Sequence, residues 1–344
     1  MPFARRIARR EGAEIFDLLQ GFVAAQVLTA LVELDLLDRL LEGPMTGEQA
    51  ARLSSVPTER MSRLLNAGVA LGLLKRTKAR RYALTMRGAV VPGVPGLQEM
   101  IRHNLVLYRD LADPVALLRG DADTEMRRFW PYVFGQSGDV PDAVAERYSS
   151  LMADSQALVA EDTVRAVGTL NARVWLDVGG GAGAFLSRVL REDARIEAIL
   201  FDLPGVMPSA ETFLTRAGLR SRVRLQPGNF REDPLPDGAD VISLVRVLYD
   251  HSDDTVRDLL ARVFAALPRG GRLVISEPMS GGERPDPACD VYFAFYTMAM
   301  GSGTLRAQTR IAAMCGEAGF ADIRMPRPVR SYVTSVVQCT KPRR

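Results

Sequence analysis

Residues 176–183 read LDVGGGAG, from Leu176 to Gly183, and the reading of this stretch decides the fold. An apolar run, 174–178, leads into the glycines, and Phe185, Leu186, Val189 and Leu190 follow them at helical spacing. A strand that turns through glycines into a helix opens a βαβ unit, with free backbone amides at the helix N-terminus. Downstream, 196–201 and 223–226 predict a second and a third strand. A fourth, 240–248, is nearly continuous in apolar residues, as a strand buried on both faces should be. Ser252 is placed to cap the next helix, with Asp253 and Asp254 in the first turn, where the helix dipole favours negative charge. Val256, Leu259, Leu260, Val263 and Leu267 mark the buried face of that helix, and 272–276 predicts a fifth strand. The chain closes on 322–324 and 332–338, two β-like runs with no helix between them. The fold class read from this pattern is α/β, a doubly wound Rossmann-like sheet with an antiparallel C-terminal hairpin.

Upstream the pattern is different. An apolar segment, 13–41, predicts a helix that ends at Gly43-Pro44. Thr46 with Gln49 makes a capping box for a short helix over 47–53, and Pro57 opens another through Leu71. Residues 73–75 and 82–84 read as short strands about a basic turn, Arg76 to Arg81, so the order is that of a winged helix. As a DNA reader it is poor: the helix after Pro57 offers only Arg60 and Arg63 among apolar residues, whereas groove readout needs several polar side chains. The apolar first helix suits packing against another subunit. Residues 96–170 are helical, with a break near Gly120 and a looser stretch over 131–141. Met126, Phe129, Trp130, Tyr132, Phe134 and Tyr148 there have two readings, plain core or a wall for a bulky apolar substrate. The expected divisions are a winged-helix-like domain at 1–95, a helical linker and substrate wall at 96–170, and a cofactor-binding catalytic domain at 171–344.

Composition narrows the classes. With 344 residues, 47% hydrophobic and 25% charged, the chain can build a real core. Its 44 basic and 41 acidic residues leave a formal charge of +3, too little to argue for nucleic acid. Arg5, Arg6, Arg9 and Arg10 can touch an anionic membrane surface transiently or simply be solvated. Cys289, Cys315 and Cys339 lie far apart with no C-x-x-C pair, which argues against a disulfide framework and a metal module and fits a reducing cytosol. The charge-free stretch 18–32 falls short of the ~20 residues of a membrane-spanning helix, and no signal-peptide pattern follows the N-terminal arginines. A cytoplasmic protein is expected.

The glycine turn alone leaves the cofactor open. Gly179, Gly181 and Ala184 satisfy G-x-G-x-x-A, and Asp202 ends the next strand where a ribose-binding acid belongs, so a dinucleotide competes. Three features favour S-adenosylmethionine. Asp177, just before the glycines, can meet the ammonium of a methionine moiety and would repel a pyrophosphate. The sheet also begins late and ends in a hairpin. Gly228-Asn229-Phe230, after the third strand, offers a side-chain amide and an aromatic face suited to adenine. Arg246, on the fourth strand, can meet the carboxylate of the methionine portion; buried without an anion it would be costly.

Several strings together carry a resemblance: LDVGGGAG, FDLPGV (Phe201 to Val206, including Leu203), GNF (Gly228 to Phe230), LVRVLYDHSDD (Leu244 to Asp254) and ALPRGGRLVISEP (Ala266 to Pro278). On these the chain resembles the small-molecule O-methyltransferases that include the caffeate and acetylserotonin types. The resemblance implies S-adenosylmethionine as cofactor and a winged-helix-like dimerisation domain, hence a homodimer. RVLYDHSDD, SEPMSGG (Ser276 to Gly282) and YFAFYTMAM (Tyr292 to Met300) further resemble the hydroxyneurosporene (demethylspheroidene) O-methyltransferases of carotenoid synthesis. That implies methylation of a tertiary hydroxyl on a long polyene, an apolar hydroxylated small molecule; methylation of a polyketide or other aromatic product is the alternative.

Departures from the wider family bear on mechanism. Its phenol-methylating members carry H-D-W after the fourth strand, with the histidine as base. Here Tyr249 stands at that position and His251 at the tryptophan. Glu277 matches the acid that orients the base, while the family's other acid aligns with Leu305 and is missing. A tertiary alcohol is too weak an acid to be ionised before attack, so its proton leaves during or after carbon–oxygen bond formation. His251 is the expected base, with Tyr249 relaying or positioning the hydroxyl; the opposing reading has His251 capping a helix and Tyr249 lining the pocket. His103, on a helical stretch, reads as structural or as a substrate contact.

Overall fold

The computed structural model describes residues 2–129 and 156–343. Trp130, Tyr132, Phe134 and Tyr148 of the expected aromatic wall lie outside the described residues. The chain divides into two compact units, Met1–Leu105 and Val106–Arg344.

In the first unit α1 (Pro2–Glu33) and α2 (Leu36–Glu42) replace the single helix expected over 13–41. The break falls at Asp35, whose left-handed backbone (φ 52°) cannot continue a helix. α3 (Gly47–Leu53) opens on the predicted capping box: the Gln49 amide donates to Thr46 Oγ1 at 3.2 Å, and the Thr46 amide donates to Gln49 Oε1 at 2.8 Å. α4 (Thr58–Ala70) follows, with Pro57 as its N-cap. β1 (Leu74–Arg76) and β2 (Tyr82–Leu84) pair antiparallel with Leu74 opposite Leu84. α5 (Met86–Gly93) comes next, and α6 (Leu97–Asp110) crosses the division between the units. Leu31, Leu36, Leu37, Met61 and Leu65 are wholly buried at the centre of this unit.

The outer part of α1 has no such cover within its unit. Ile15, Phe16, Leu18, Leu19, Phe22 and Val23 are 59–76% exposed, a contiguous apolar surface of the kind that marks an association site. The helical segment Glu11–Glu33, 23 residues long, is also long and apolar enough to cross a membrane by length and composition. The charge-free run 18–32 understated it, because a helix tolerates the acids Glu14 and Asp17 near its end.

The second unit holds α7 (Pro114–Arg119), α8 (Glu125–Phe129) and a helix α9 over 156–167 before the sheet begins. β3 (Val174–Val178), α10 (Ala184–Glu192), β4 (Glu197–Asp202), α11 (Met207–Arg216), β5 (Val223–Pro227), β6 (Val241–Val245), α12 (Asp253–Ala266) and β7 (Arg272–Glu277) follow in that order, strand and helix alternating except that β5 leads to β6 with no helix between them. A π-helical turn (Pro287–Phe293), α13 (Ala294–Met300) and α14 (Gln308–Glu317) then lead to β8 (Ala321–Arg324) and β9 (Ser335–Thr340).

The sheet order is β5-β4-β3-β6-β7-β9-β8. Five parallel strands wind outward in both directions from β3 and β6, and β9 inserts antiparallel between β7 and β8. The hairpin thus pairs with the sheet through its second strand. Trp175, Leu176, Val178, Ile242, Leu244, Leu273 and Ile275 fill the two faces under the flanking helices. The order reverses between β3 and β6, and at such a switch point the carboxyl ends of the strands leave a crevice for a ligand.

Candidate active site

The crevice has two walls. One is the glycine turn. Asp177 and Ser243 face each other across the β3–β6 register, and Ser243 Oγ donates to Asp177 Oδ1 at 2.5 Å while accepting from Trp175 Nε1 at 2.9 Å. Burial, helped by the Asp202 charge, pushes the Asp177 carboxyl up to about 7 against the pull of the Ser243 hydroxyl. Gly179 turns at φ 70°, and a Cβ there would meet Val247 Cγ2 at 2.8 Å. Only glycine satisfies both conditions. The same 2.8 Å approach shows that the turn after β6 is packed directly on the glycine turn. Gly181 donates its amide to Asp202 Oδ2 at 2.8 Å, and Leu203 donates to Oδ1 at 2.7 Å. Asp202 therefore fastens the glycine turn to the Leu203 loop, and each of its oxygens keeps a lone pair for a further donor. Burial raises this carboxyl too.

Asn229 is committed locally. Its Oδ1 accepts the Arg231 amide at 3.0 Å, and its own amide donates to Asp233 Oδ2 at 2.7 Å. Phe230 packs edge-on against the His251 ring, centroids 5.3 Å apart, so the structure brings GNF and the turn after β6 together.

The second wall is that turn. β6 stops at Val245 rather than running to 248, because Arg246 takes a left-handed backbone with φ 60°. Such a conformation costs a non-glycine residue roughly 1–3 kcal/mol and concentrates at functional sites. Leu248–Asp250 then form a single 3₁₀ turn. The Arg246 guanidinium lies over the rings of Phe293 (5.3 Å) and Tyr249 (5.8 Å), and its Nη2 donates to the Val333 carbonyl at 3.1 Å. Its buried Nε has no hydrogen-bond partner among the described residues.

Two distant residues hold the turn. Glu277, at the end of β7, accepts the Val247 and Leu248 amides on Oε1 at 2.9 and 2.8 Å, and its Oε2 has no partner among the described residues. Burial raises Glu277 to about 7. From the other side, the fully buried Arg306 donates to the carbonyls of Leu248 (2.9 Å) and His251 (2.8 Å) and to Asp253 Oδ1 at 2.7 Å. Thr304 donates its amide to the Tyr249 carbonyl at 3.0 Å. Glu277 thus fixes the backbone of the turn, and among the described residues no hydrogen bond joins it to the His251 ring.

His251 is nine-tenths buried, and Arg231 Nη2 lies 2.9 Å from its Nδ1. A guanidinium only donates, so Nδ1 accepts and the neutral ring carries its proton on Nε2. Burial, with the charges of Arg231 and Arg306, lowers His251 to about 4. The ring has no spare lone pair, which is a reason against the base role expected for it. Ser252, and not His251, caps α12, through the Thr255 amide. His103, on α6, is likewise lowered to about 4 by burial.

Sequence reading missed Asp250, Arg306, Tyr292 and Tyr296. Asp250 is 7% exposed, and its Oδ1 has no hydrogen-bond partner among the described residues. Burial, and next the Glu277 charge, hold its carboxyl well above the usual range. Tyr292 and Tyr296 stack at 6.0 Å and stand one helical turn apart, a spacing visible in YFAFYTMAM. A cavity of about 260 Å³ past the end of β7, lined by Met279, Ser280, Cys289, Gln308 and Ser335, touches none of the residues expected for the site. Among the described residues no group of three metal-ligating side chains is gathered.

An O-methyltransferase domain model matches residues 108–321, and an O-methyltransferase dimerisation model matches 16–91. The chain belongs to the S-adenosylmethionine-dependent O-methyltransferase family. Within this family it is 51% identical to the demethylspheroidene O-methyltransferase of Cereibacter sphaeroides, over 99% of this chain and 90% of that protein. Identity to the Rhodobacter capsulatus enzyme of the same name is 49%, over 99% and 85%. The structure of the pyocyanin biosynthetic protein PhzM superposes with a TM-score of 0.82 over 96% of this chain and 99% of that one, at 21% identity, a likeness of fold. The family resolves the choice the glycine turn left open, against a dinucleotide.

The crevice suits that cofactor. Asp177 is a buried carboxyl that a neighbouring cation would ionise, Arg246 Nε is a buried donor awaiting an acceptor, and Gly179 leaves room no side chain could share.

Proposed function

We propose that this O-methyltransferase methylates the tertiary hydroxyl of a 1-hydroxycarotenoid. The observation that carries the reading is the turn after β6, where Tyr249 stands in place of an ionising histidine and the one nearby imidazole is sealed by Arg231. A phenol is activated by removing its proton first; a tertiary alcohol needs placement, water exclusion and a late proton acceptor. The identity to two demethylspheroidene O-methyltransferases supports the same substrate.

When bound, S-adenosylmethionine supplies a methyl group on a positively charged sulfur. Asp177 takes the ammonium and Arg246 the carboxylate of its methionine part. Asp202 takes the ribose hydroxyls, Gly179 and Gly181 admit the ligand to the backbone, and Leu203, Asn229 and Phe230 border the adenine. Tyr249, with Phe293 and Tyr296, borders the apolar acceptor, and Glu277 sets the Tyr249 turn. Two chains pair through the exposed face of α1, a homodimer working on the cytoplasmic side, where the basic N-terminus meets a membrane transiently. The functional division we propose is 1–95, 96–170 and 171–344.

Incubating the full chain with the methyl donor and either a 1-hydroxycarotenoid in detergent or a panel of phenols tests the reading. A mass gain of one methyl on the carotenoid is expected. Methylation of phenols alone would defeat it in favour of an aromatic acceptor.

A further inference from the structure

We infer that the tip of the β1–β2 hairpin, the wing of the first unit, is a docking surface for an anionic lipid bilayer. The choice of lipid rests on the acceptor proposed above, since a long polyene dissolves in a membrane and not in water. From Arg60 to Gln98 the chain carries eight lysines and arginines and no aspartate or glutamate. Five of those cations, Lys75, Arg76, Lys78, Arg80 and Arg81, fall within seven residues at the hairpin tip, and all five are exposed. Arg102, Arg109, Arg220, Arg257, Arg310 and Arg330 each meet a carboxylate elsewhere in the chain. Among the described residues none of the five wing cations does. The groups that meet Arg76 and Arg81 are neutral: Asn66 Oδ1 at 2.5 Å and the Tyr82 hydroxyl at 3.1 Å for Arg76, the Pro44 carbonyl at 3.1 Å for Arg81. Such acceptors steer a guanidinium and leave its charge uncompensated.

The tip holds its charges in place. Thr77 closes it: its amide donates to the Arg81 carbonyl at 2.8 Å, its carbonyl accepts the Arg80 amide at 3.0 Å, and its Oγ1 accepts the Arg81 amide at 3.2 Å. Arg80 takes a left-handed backbone, φ 56°, where glycine or asparagine would sit with less strain, so keeping a cation there costs the turn some stability. Clusters of about four to eight lysines and arginines are typical of anionic-lipid recognition. Nucleic acid is the competing polyanion. Groove readout by a winged helix needs polar side chains on α4, and of the two arginines there Arg63 is already paired with Glu59 one turn away. Met86, 86% exposed on the first turn of α5 beside Arg87, adds an apolar side chain that a bilayer interface accepts and a phosphate backbone does not.

The test is co-sedimentation of the full chain with vesicles of phosphatidylcholine, either alone or with about a third phosphatidylglycerol. The wild type is set beside a triple variant, Lys75→Gln, Lys78→Gln and Arg80→Asn, in which asparagine suits the left-handed backbone it inherits. The wild type should bind the anionic vesicles and not the neutral ones, and should release them at high salt. The variant, its N-terminal arginines intact, should bind at least about thirtyfold more weakly, since each cation at an anionic surface contributes roughly fivefold. Its affinity for S-adenosylhomocysteine, and its turnover of a 1-hydroxycarotenoid dissolved in detergent, should stay within about twofold of wild type. A triple variant that binds the vesicles as tightly as the wild type overturns the proposal, and so does a wild type that ignores anionic vesicles. A wild type that prefers duplex DNA to those vesicles at equal salt also overturns it and makes the wing a nucleic-acid contact. Should the triple variant lose S-adenosylhomocysteine, Lys78→Gln alone decides: about fivefold weaker vesicle binding is expected, and unchanged binding overturns the proposal. Vesicle binding is read without an acceptor, so a carotenoid left unmethylated in detergent defeats the substrate reading and not the docking surface.

Discussion

The two walls of the crevice are built on opposite plans. The glycine turn is made of backbone: its shape follows from Gly179 and Gly181 at positive φ, and its side-chain fastening, Asp202, lies one strand away. The turn after β6 is made of side chains brought from far along the chain. Glu277 reaches it across 30 residues and Arg306 across 58, and Arg246 is strained to aim its guanidinium. A wall of backbone can serve one ligand across a whole family. A wall of clasped side chains can be rebuilt residue by residue for a new acceptor, and here Tyr249-Asp250-His251 replaces H-D-W.

If the clasp is what holds the second wall, breaking it should do the most damage. Arg306→Ala leaves two buried carbonyls without donors and should cost about 3 kcal/mol of stability, read from chemical denaturation. Its lysine counterpart, with one charge and no fork, should recover only part of that.

The first wall breaks differently. Gly179→Val forces a branched side chain into a left-handed backbone against Val247. S-adenosylhomocysteine affinity should fall about a hundredfold or more, with the fold retained by circular dichroism. An unchanged Kd would remove the glycine turn from the donor site.

A gentler change separates the walls by pH. Asp177 is raised to about 7 by burial, and only its ionised form can hold an ammonium. Below that value a bound cation must first displace a proton, so affinity weakens as pH falls and protons are released on binding. S-adenosylhomocysteine should bind about tenfold more weakly at pH 6 than at pH 8, and Asp177→Asn should flatten the dependence. A pH-independent Kd in the wild type would contradict the assignment. The smallest effect lies outside the crevice. Thr46→Ala removes the hydroxyl that caps α3 and should cost about 1 kcal/mol in the first unit, without altering S-adenosylhomocysteine binding.

The same contrast explains what could be read in the sequence. The strands and helices about the glycine turn, the Thr46–Gln49 box and the Ser252 cap were legible because each depends on neighbours a few positions away. Strand β6 was read three residues too far at its C-terminal end, since apolar Val247 and Leu248 continue the pattern and nothing local announces the reversal at Arg246. The break at Asp35 was hidden in the same way inside an apolar run. Asp250 stood in plain view between Tyr249 and His251, but its burial and the Glu277 charge it faces are tertiary facts. His251 drew attention as one of only two histidines, and the Arg231 contact that occupies its Nδ1 is a tertiary fact.

Exchanging only the acceptor wall tests the account most directly. A variant carrying Tyr249→His, His251→Trp and Leu305→Glu should bind S-adenosylhomocysteine within about threefold of wild type, while kcat/KM for a 1-hydroxycarotenoid falls at least a hundredfold. If the exchanged enzyme methylates the carotenoid as well as the wild type does, the Tyr249–Asp250 turn is not where the acceptor is activated, and the division into donor and acceptor walls is wrong.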